Sequence, residues 1–171
     1  MASFDTPSGI PFSDVNLKTR TGHAPKWSPD SSTSEVTTVQ LEFRDLSRVT
    51  GNPKYEDAVT KVSHHVHSLP KTSGLVPIFI NANNGQFRSY STITLGRQIK
   101  IKSKYLMHNN IFFSGARGDS YYEYLLKQWL QSGKTEDYLK TDYADAIEGV
   151  LGRLVQRTQP SGHLFIGELL R

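Results

Sequence analysis

The 171-residue chain has no cysteine at all. Disulfides and thiolate metal sites are therefore excluded, and because a secreted domain can do without bridges, the compartment stays open. Long apolar runs are missing too: nothing approaches the ~20 consecutive residues that a helix needs to cross a bilayer. The opening stretch MASFDTPSGIPFSDV has no basic patch leading into an apolar segment, so it reads as neither a secretory signal nor an anchor. No targeting signal and no direct membrane contact are expected of this segment. Charge asymmetry disappears once one segment is set aside: the net charge is +4, and Arg97, Lys100, Lys102 and Lys104 supply all of it. A nucleic-acid partner would leave a broader basic footprint, and none is expected.

What is present is the composition of a folded domain, 36% hydrophobic and 21% charged. Ser31, Ser32, Thr33 and Ser34 offer helix-capping oxygens, after which Val36, Val39, Phe43, Leu46 and Val49 recur at helical spacing until Gly51. A second helix is expected at once, with Asn52 as its cap, Pro53 at its first position and an apolar stripe of Tyr55, Ala58, Val59, Val62 and Val66. So short a turn predicts an antiparallel helix pair. GLVPIFINANNGQFRSYSTITLG shifts toward a period of two and predicts a β-hairpin turning at Asn83-Asn84-Gly85. Asp119 is placed to cap a helix running to about Ser132. Another long helix is expected behind it with Tyr138, Tyr143, Ile147, Val150, Leu151 and Leu154 on one face, and GHLFIGELL closes the chain as a short strand.

Several groups invite a chemical reading. Arg117-Gly118-Asp119 is an adhesion tripeptide in isolation, but it runs straight into the aromatic-rich helix SYYEYLLKQWL instead of a polar loop tip. Taken alone, Asp119 is a plain helix cap. Glu35 and Glu42 stand at i and i+7 on one helix and so share a face, an arrangement typical of a solvated surface. His64, His65 and His67 have no carboxylate at ligand spacing beside them, so they read as surface residues and no metal site is expected.

Longer stretches are more specific. FDTPSGIPFSDVNLKT, STSEVTTVQLEFRDLSRVTG, GLVPIFINANNGQF and ARGDSYYEYLLKQWLQSGKTEDYL follow one another in order, with AIEGVLGRLVQRTQPSGHLFIGEL behind them. They resemble consecutive blocks of the class I α-1,2-mannosidases, glycoside hydrolase family 47, of the endoplasmic-reticulum type. The resemblance implies a partial catalytic domain over residues 1–171, with an atypical insertion at 97–115. The fold it implies is all-α with short β-hairpins, an incomplete segment of an (α/α)7 barrel. The activity it implies is inverting hydrolysis of terminal α-1,2-linked mannose on high-mannose N-glycans of glycoproteins. The setting is the lumen of the endoplasmic reticulum or Golgi, where full-length family proteins are membrane-anchored. It also implies a Ca2+ ion in the complete domain, whose main protein ligand lies outside these residues. By the same resemblance Asp119 is the catalytic aspartate on the leaving-group side. Glu35 lines the pocket for the terminal mannose, Arg117 contacts the sugar, and Ser13 is a further sugar contact.

The departures carry equal weight. The family's general acid lies in an FET block, its base in an RPET block and its calcium-binding threonine in an NTE block, and none of these motifs occurs here. Turnover by these 171 residues alone is accordingly not expected. A non-catalytic mannose-glycan-binding module of the same fold, or a splice product without function, are the alternative readings. The insertion is rich in Ile, Lys, Asn and Phe, and IFFSG can be encoded as a pyrimidine tract with a splice acceptor, so a retained in-frame intron is expected there. A genuine loop is the alternative, and the transcript decides between them.

Overall fold

The structure is a computed structural model that describes residues 1–26, 28–95 and 117–170. The insertion expected at 97–115 lies outside the described residues. Among those described, five α-helices carry the chain: α1 (Thr33–Thr37), α2 (Gln40–Thr50), α3 (Lys54–Ser68), α4 (Asp119–Gln131) and α5 (Asp137–Gly149). Short antiparallel strand pairs link them: β1 (Asp14–Asn16) with β2 (Thr21–His23), β3 (Ser31–Ser32) with β4 (Phe79–Ile80), and β5 (Val155–Arg157) with β6 (Leu164–Ile166). The expected helix-rich chain with short β elements is what the structure contains.

The α2–α3 pair forms for the reasons its sequence advertises. Gly51 ends α2 in the left-handed region at φ 67°, where a side chain would be strained. The Asn52 carboxamide oxygen accepts the Lys54 N–H at 3.2 Å, capping α3 with Pro53 already helical. Val59, Val62 and Val66 are buried along one face of α3. Each such side chain is worth about 1.5–3 kcal/mol of burial.

The helix before it differs from expectation. Instead of one run to Gly51, the chain breaks at Thr38–Val39, between α1 and α2. The Thr37 and Thr38 hydroxyls bond back to the carbonyls of Thr33 and Ser34, and the Gln40 carboxamide oxygen takes the Val39 N–H at 3.0 Å. A β-branched run that satisfies its backbone through side chains competes with helix continuation. Glu35 and Glu42 consequently stand on different helices. The break also turns α2: Gln40, Arg44 and Ser47 face inward, while Leu46 and Val49 of the predicted apolar stripe are exposed. Ser47 bridges Asn52 O and Glu56 N–H across the hairpin, and Arg44 reaches Glu136 at 2.7 Å.

Two further expectations shift. The predicted hairpin does turn at Asn81–Gln86, but its own pairing is a single bridge between Ile80 and Phe87, and β4 pairs with Ser31–Ser32 instead. The α5 helix ends at Gly149 and continues as one wider π turn, Val150–Leu154, before β5. Its buried face is Leu139, Asp142, Ala146 and Gly149, with Ile147 and Leu151 outside. Gly149 sets this rotation, because a Cβ there would collide with the Ser73 carbonyl. The three histidines also have more specific partners than surface residues would. His67 Nδ1 lies 3.0 Å from Asp142, His65 Nε2 2.7 Å from Gly85 O, and His64 stacks on Tyr138.

Candidate functional site

All four residues singled out by the family resemblance meet around α1. The helix is short, capped by the Ser32 hydroxyl, which accepts the Glu35 N–H at 3.4 Å. Three separate segments are tied to its first turn and to the β3 residues that lead into it. On one side Ser31 Oγ donates to Pro11 O at 2.7 Å, fixing the N-terminal stretch. On a second side Thr33 donates through its N–H to Ile78 O at 3.0 Å and through its hydroxyl to Pro77 O at 2.6 Å. On a third, the Ser34 N–H donates to Arg117 O at 2.9 Å. Thr33 and Ser34 are both buried, so these bonds are shielded from water.

Two carboxylates emerge from this joint. Glu35 is exposed and accepts from Ser13 Oγ at 2.8 Å. Asp119 is half-buried at the first position of α4 and accepts at Oδ1 from Ser34 Oγ at 3.2 Å, with Ser120 Oγ at 3.4 Å. The expected capping role is not what Asp119 does: the position before the helix is Gly118, and the aspartate side chain is engaged across the fold. Helix N-termini favour a negative charge at this place. Neither carboxylate has a cationic partner within ion-pair range among the described residues. Arg117 lies with its guanidinium 5.4 Å from the centre of the Phe79 ring.

Beside Glu35 and Ser13 opens a cleft of about 340 Å³, walled by Phe4, Phe12, Val39 and Phe43. Apolar walls with a few polar groups at one edge suit a small polar ligand that has one apolar face. Behind the corner, α4 is pinned by Tyr122, whose hydroxyl accepts the Val76 N–H at 3.0 Å. Burial pushes the Tyr122 phenol up to about 12, the backbone hydrogen bond working slightly the other way.

Ser34 and Phe79 are neighbours of these residues that sequence reasoning did not isolate. Ser34 sits in a run of four hydroxyl residues, and nothing local separates the one that caps from the one that reaches Asp119. Among the described residues no group of three or more His, Cys, Asp or Glu side chains gathers as a metal site. The buried carboxylates Asp30 and Asp142 are already engaged, the first by Arg88 and Asn81, the second by His67 and Lys71. Glu35 and Asp119 are held by separate hydroxyls.

Comparison with known proteins gives this geometry its context. The human endoplasmic reticulum mannosyl-oligosaccharide 1,2-alpha-mannosidase is 49% identical over 170 residues, which is 99% of this chain and 22% of that protein. The mannosyl-oligosaccharide 1,2-alpha-mannosidase of Candida albicans is 41% identical over 170 residues, 98% of this chain and 26% of its own length. The chain thus spans about a quarter of the length of these relatives. The structure of an alpha-1,2-mannosidase from Trichoderma reesei has the same fold over 99% of this chain and 31% of that one, with a TM-score of 0.76 at 22% identity. The glycosyl hydrolase family 47 model matches residues 1–171, and the chain belongs to that family.

Proposed function

We propose that these residues form part of the catalytic domain of an inverting α-1,2-mannosidase that trims terminal α-1,2-linked mannose from high-mannose N-glycans in the endoplasmic reticulum or Golgi lumen. The segment is read as one portion of an (α/α)7 barrel, with an insertion at 97–115. The observation that carries the reading is the convergence of Ser13–Glu35 and Ser34–Asp119 on one short helix, beside a cleft, in a member of this family.

The chemistry follows from what each group offers. Inversion needs two carboxyl groups on opposite sides of the scissile bond, about 6.5–9.5 Å apart, one protonating the leaving oxygen and one activating water. Asp119 supplies one carboxylate on the leaving-group side; in this reading it holds the proton path there, directly or through a water. Glu35 is acceptor-only when ionised and takes sugar hydroxyls as donors, while Ser13 orients it and keeps lone pairs for the same sugar. Arg117 presents a planar fork of donors to paired hydroxyl oxygens, and the Phe79 ring beneath it limits how that fork can swing.

The family resemblance implies calcium, a hard ion that takes 6–8 oxygen ligands. The described residues do not fit it, because no carboxylate cluster is gathered. None of the roles assigned above runs through a metal.

The test uses the full-length protein and an α-1,2-mannobiose substrate. Asp119→Asn keeps shape without proton chemistry and is expected to lower kcat by about 10²–10⁴-fold while sugar binding persists. Near-full activity in that variant would refute the role. Binding of the disaccharide without turnover by the unaltered protein would instead favour a glycan-binding module.

A further inference from the structure

We infer that Ser34 is a positioning residue for Asp119, holding one oxygen of the carboxylate so that the other is presented to the reaction. The inference rests on the reading of Asp119 given above.

Three observations lead to it. Ser34 joins α1 to the Arg117–Asp119 corner twice: its N–H donates to Arg117 O at 2.9 Å, and its hydroxyl donates to Asp119 Oδ1 at 3.2 Å. The two residues are 85 positions apart in the chain, so this is a tertiary bond and no local capping habit accounts for it. Ser34 is itself only 6% exposed, which removes water as a competing partner for the hydroxyl.

Both side-chain donors to Asp119 fall on the same atom. Ser34 Oγ and Ser120 Oγ each reach Oδ1, at 3.2 and 3.4 Å, and among the described residues no donor reaches Oδ2. A carboxylate tied at both oxygens would be a structural brace, and one tied at neither would rotate about its terminal torsion, which has a broad profile. Holding Oδ1 alone fixes the plane of the carboxylate and leaves Oδ2 as the basic oxygen. Proton-transfer geometry is sensitive to such placement, and small displacements of a catalytic group cost large factors in rate. The Ser34 N–H bond to Arg117 O adds a second tie, anchoring the backbone of the corner to the same residue.

A serine hydroxyl suits the task for a chemical reason. It donates a neutral hydrogen bond, so it orients the carboxylate without fixing its charge as a lysine or arginine would.

The experiment uses the full-length protein with α-1,2-mannobiose as substrate and its thio-linked, non-hydrolysable analogue as binding probe. Ser34→Ala retains the main-chain bond and removes only the hydroxyl. It is expected to lower kcat about tenfold with KM and analogue affinity within twofold, while Ser34→Thr, which restores a hydroxyl, recovers most of kcat. Added to Asp119→Asn, Ser34→Ala is expected to cause no further loss, since the group it positions is gone. Overturning results are kcat within twofold of wild type in Ser34→Ala, equal losses in the Ala and Thr variants, or full additivity with Asp119→Asn. A merely structural Ser34 would lower analogue binding together with kcat, and that outcome also sinks the proposal. If Asp119→Asn alone keeps full activity, the role of the aspartate fails first, which separates the two ideas.

Discussion

Two places in this molecule gather polar side chains between helices, and they treat them differently. At the seam of α3, α4 and α5, Asp142 is 7% exposed and is surrounded by His67 Nδ1 at 3.0 Å, Lys71 Nζ at 3.6 Å and the Tyr121 hydroxyl at 3.4 Å. At the α1 corner, Glu35 and Asp119 receive only hydroxyls from side chains among the described residues. In the seam, cationic and hydroxyl donors gather around a buried carboxylate. In the corner, negative charge is oriented by neutral donors. Buried ion pairs hold architecture, whereas carboxylates with neutral donors remain available to a substrate. On the proposed function, the seam belongs to the scaffold and the corner to the sugar site.

The largest effect expected from this comparison is on stability at the seam. Asp142→Ala leaves the half-buried Lys71 ammonium with only the His67 and Leu69 carbonyls, and removing the buried partner of such a pair is expected to cost about 3 kcal/mol, the low end for buried pairs. Lys71 already shows the strain: burial lowers its pKa, and Asp142 restores only part of it. Glu35→Ala, by contrast, removes an exposed carboxylate and is expected to leave the melting temperature nearly unchanged. Thermal unfolding of the two variants side by side decides the matter. Equal melting temperatures would break the distinction.

A second effect appears in alkali. Tyr122 is 5% exposed, and burial raises its phenol from 10 to about 12. Tyr121 is raised well above 10, by burial first and then by Asp142. A group whose folded pKa lies above its unfolded value contributes stability that is complete below the unfolded value and is lost as pH rises through the folded one. For Tyr122 that window runs from about pH 10 to about pH 12. Two pKa units correspond to roughly 2.7 kcal/mol. Lys71 works in the opposite direction, because a lowered lysine pKa favours the folded state as pH approaches 10.5. The tyrosines are expected to dominate, since the Tyr124 and Tyr138 phenols are raised as well, so four phenols oppose one lowered amine. Melting temperature followed from pH 9 to 12 should fall, and Tyr122→Phe should flatten the fall while lowering the plateau, since Val76 N–H loses its acceptor. A slope unchanged by Tyr122→Phe would remove Tyr122 from the account.

How much of this was legible in the sequence depends on the range of each signal. The α2–α3 hairpin could be read because Gly51, Asn52 and Pro53 act on their own backbone within a few residues. The family blocks pointed to Ser13, Glu35, Arg117 and Asp119, but spacing alone would have left Asp119 as a cap. The inward polar face of α2 was not legible: Arg44 is drawn in by Glu136, 92 positions away. Apolar periodicity cannot register a buried arginine. The break at Thr38–Val39 was hidden for a related reason, as threonines fit a helix until their hydroxyls bond back to it.

A third prediction sharpens the comparison on the corner side. Glu35→Gln keeps volume and one acceptor oxygen but loses the charge that strengthens hydrogen bonds from sugar hydroxyls. KM for α-1,2-mannobiose in the full-length protein is expected to rise about tenfold, close to 1.4 kcal/mol, with the melting temperature unchanged. Were kcat to collapse and KM to stay constant, Glu35 would belong to the chemistry instead of the pocket.

The smallest effect tests whether geometry alone identifies a structural ion pair. Arg44 and Arg48 are one turn apart on α2, and each sits on a carboxylate at almost the same distance: Arg44 with Glu136 at 2.7 Å and Arg48 with Asp45 at 2.8 Å. The Arg44 side chain is 6% exposed, while that of Arg48 is 75% exposed. Burial works against the Arg44 charge, but Glu136, with help from Tyr138 and Glu56, more than offsets it and raises the guanidinium pKa. Water and salt do most of the solvating at Arg48, and the pair must also hold two flexible side chains in one arrangement. Exposed pairs of this kind contribute about 0.2–1 kcal/mol, often at the low end. Arg48→Ala is therefore expected to shift stability by less than about 0.5 kcal/mol, and to shift it still less in high salt. A cost comparable to that of Asp142→Ala would mean that proximity, and not burial, is what makes an ion pair structural in this fold.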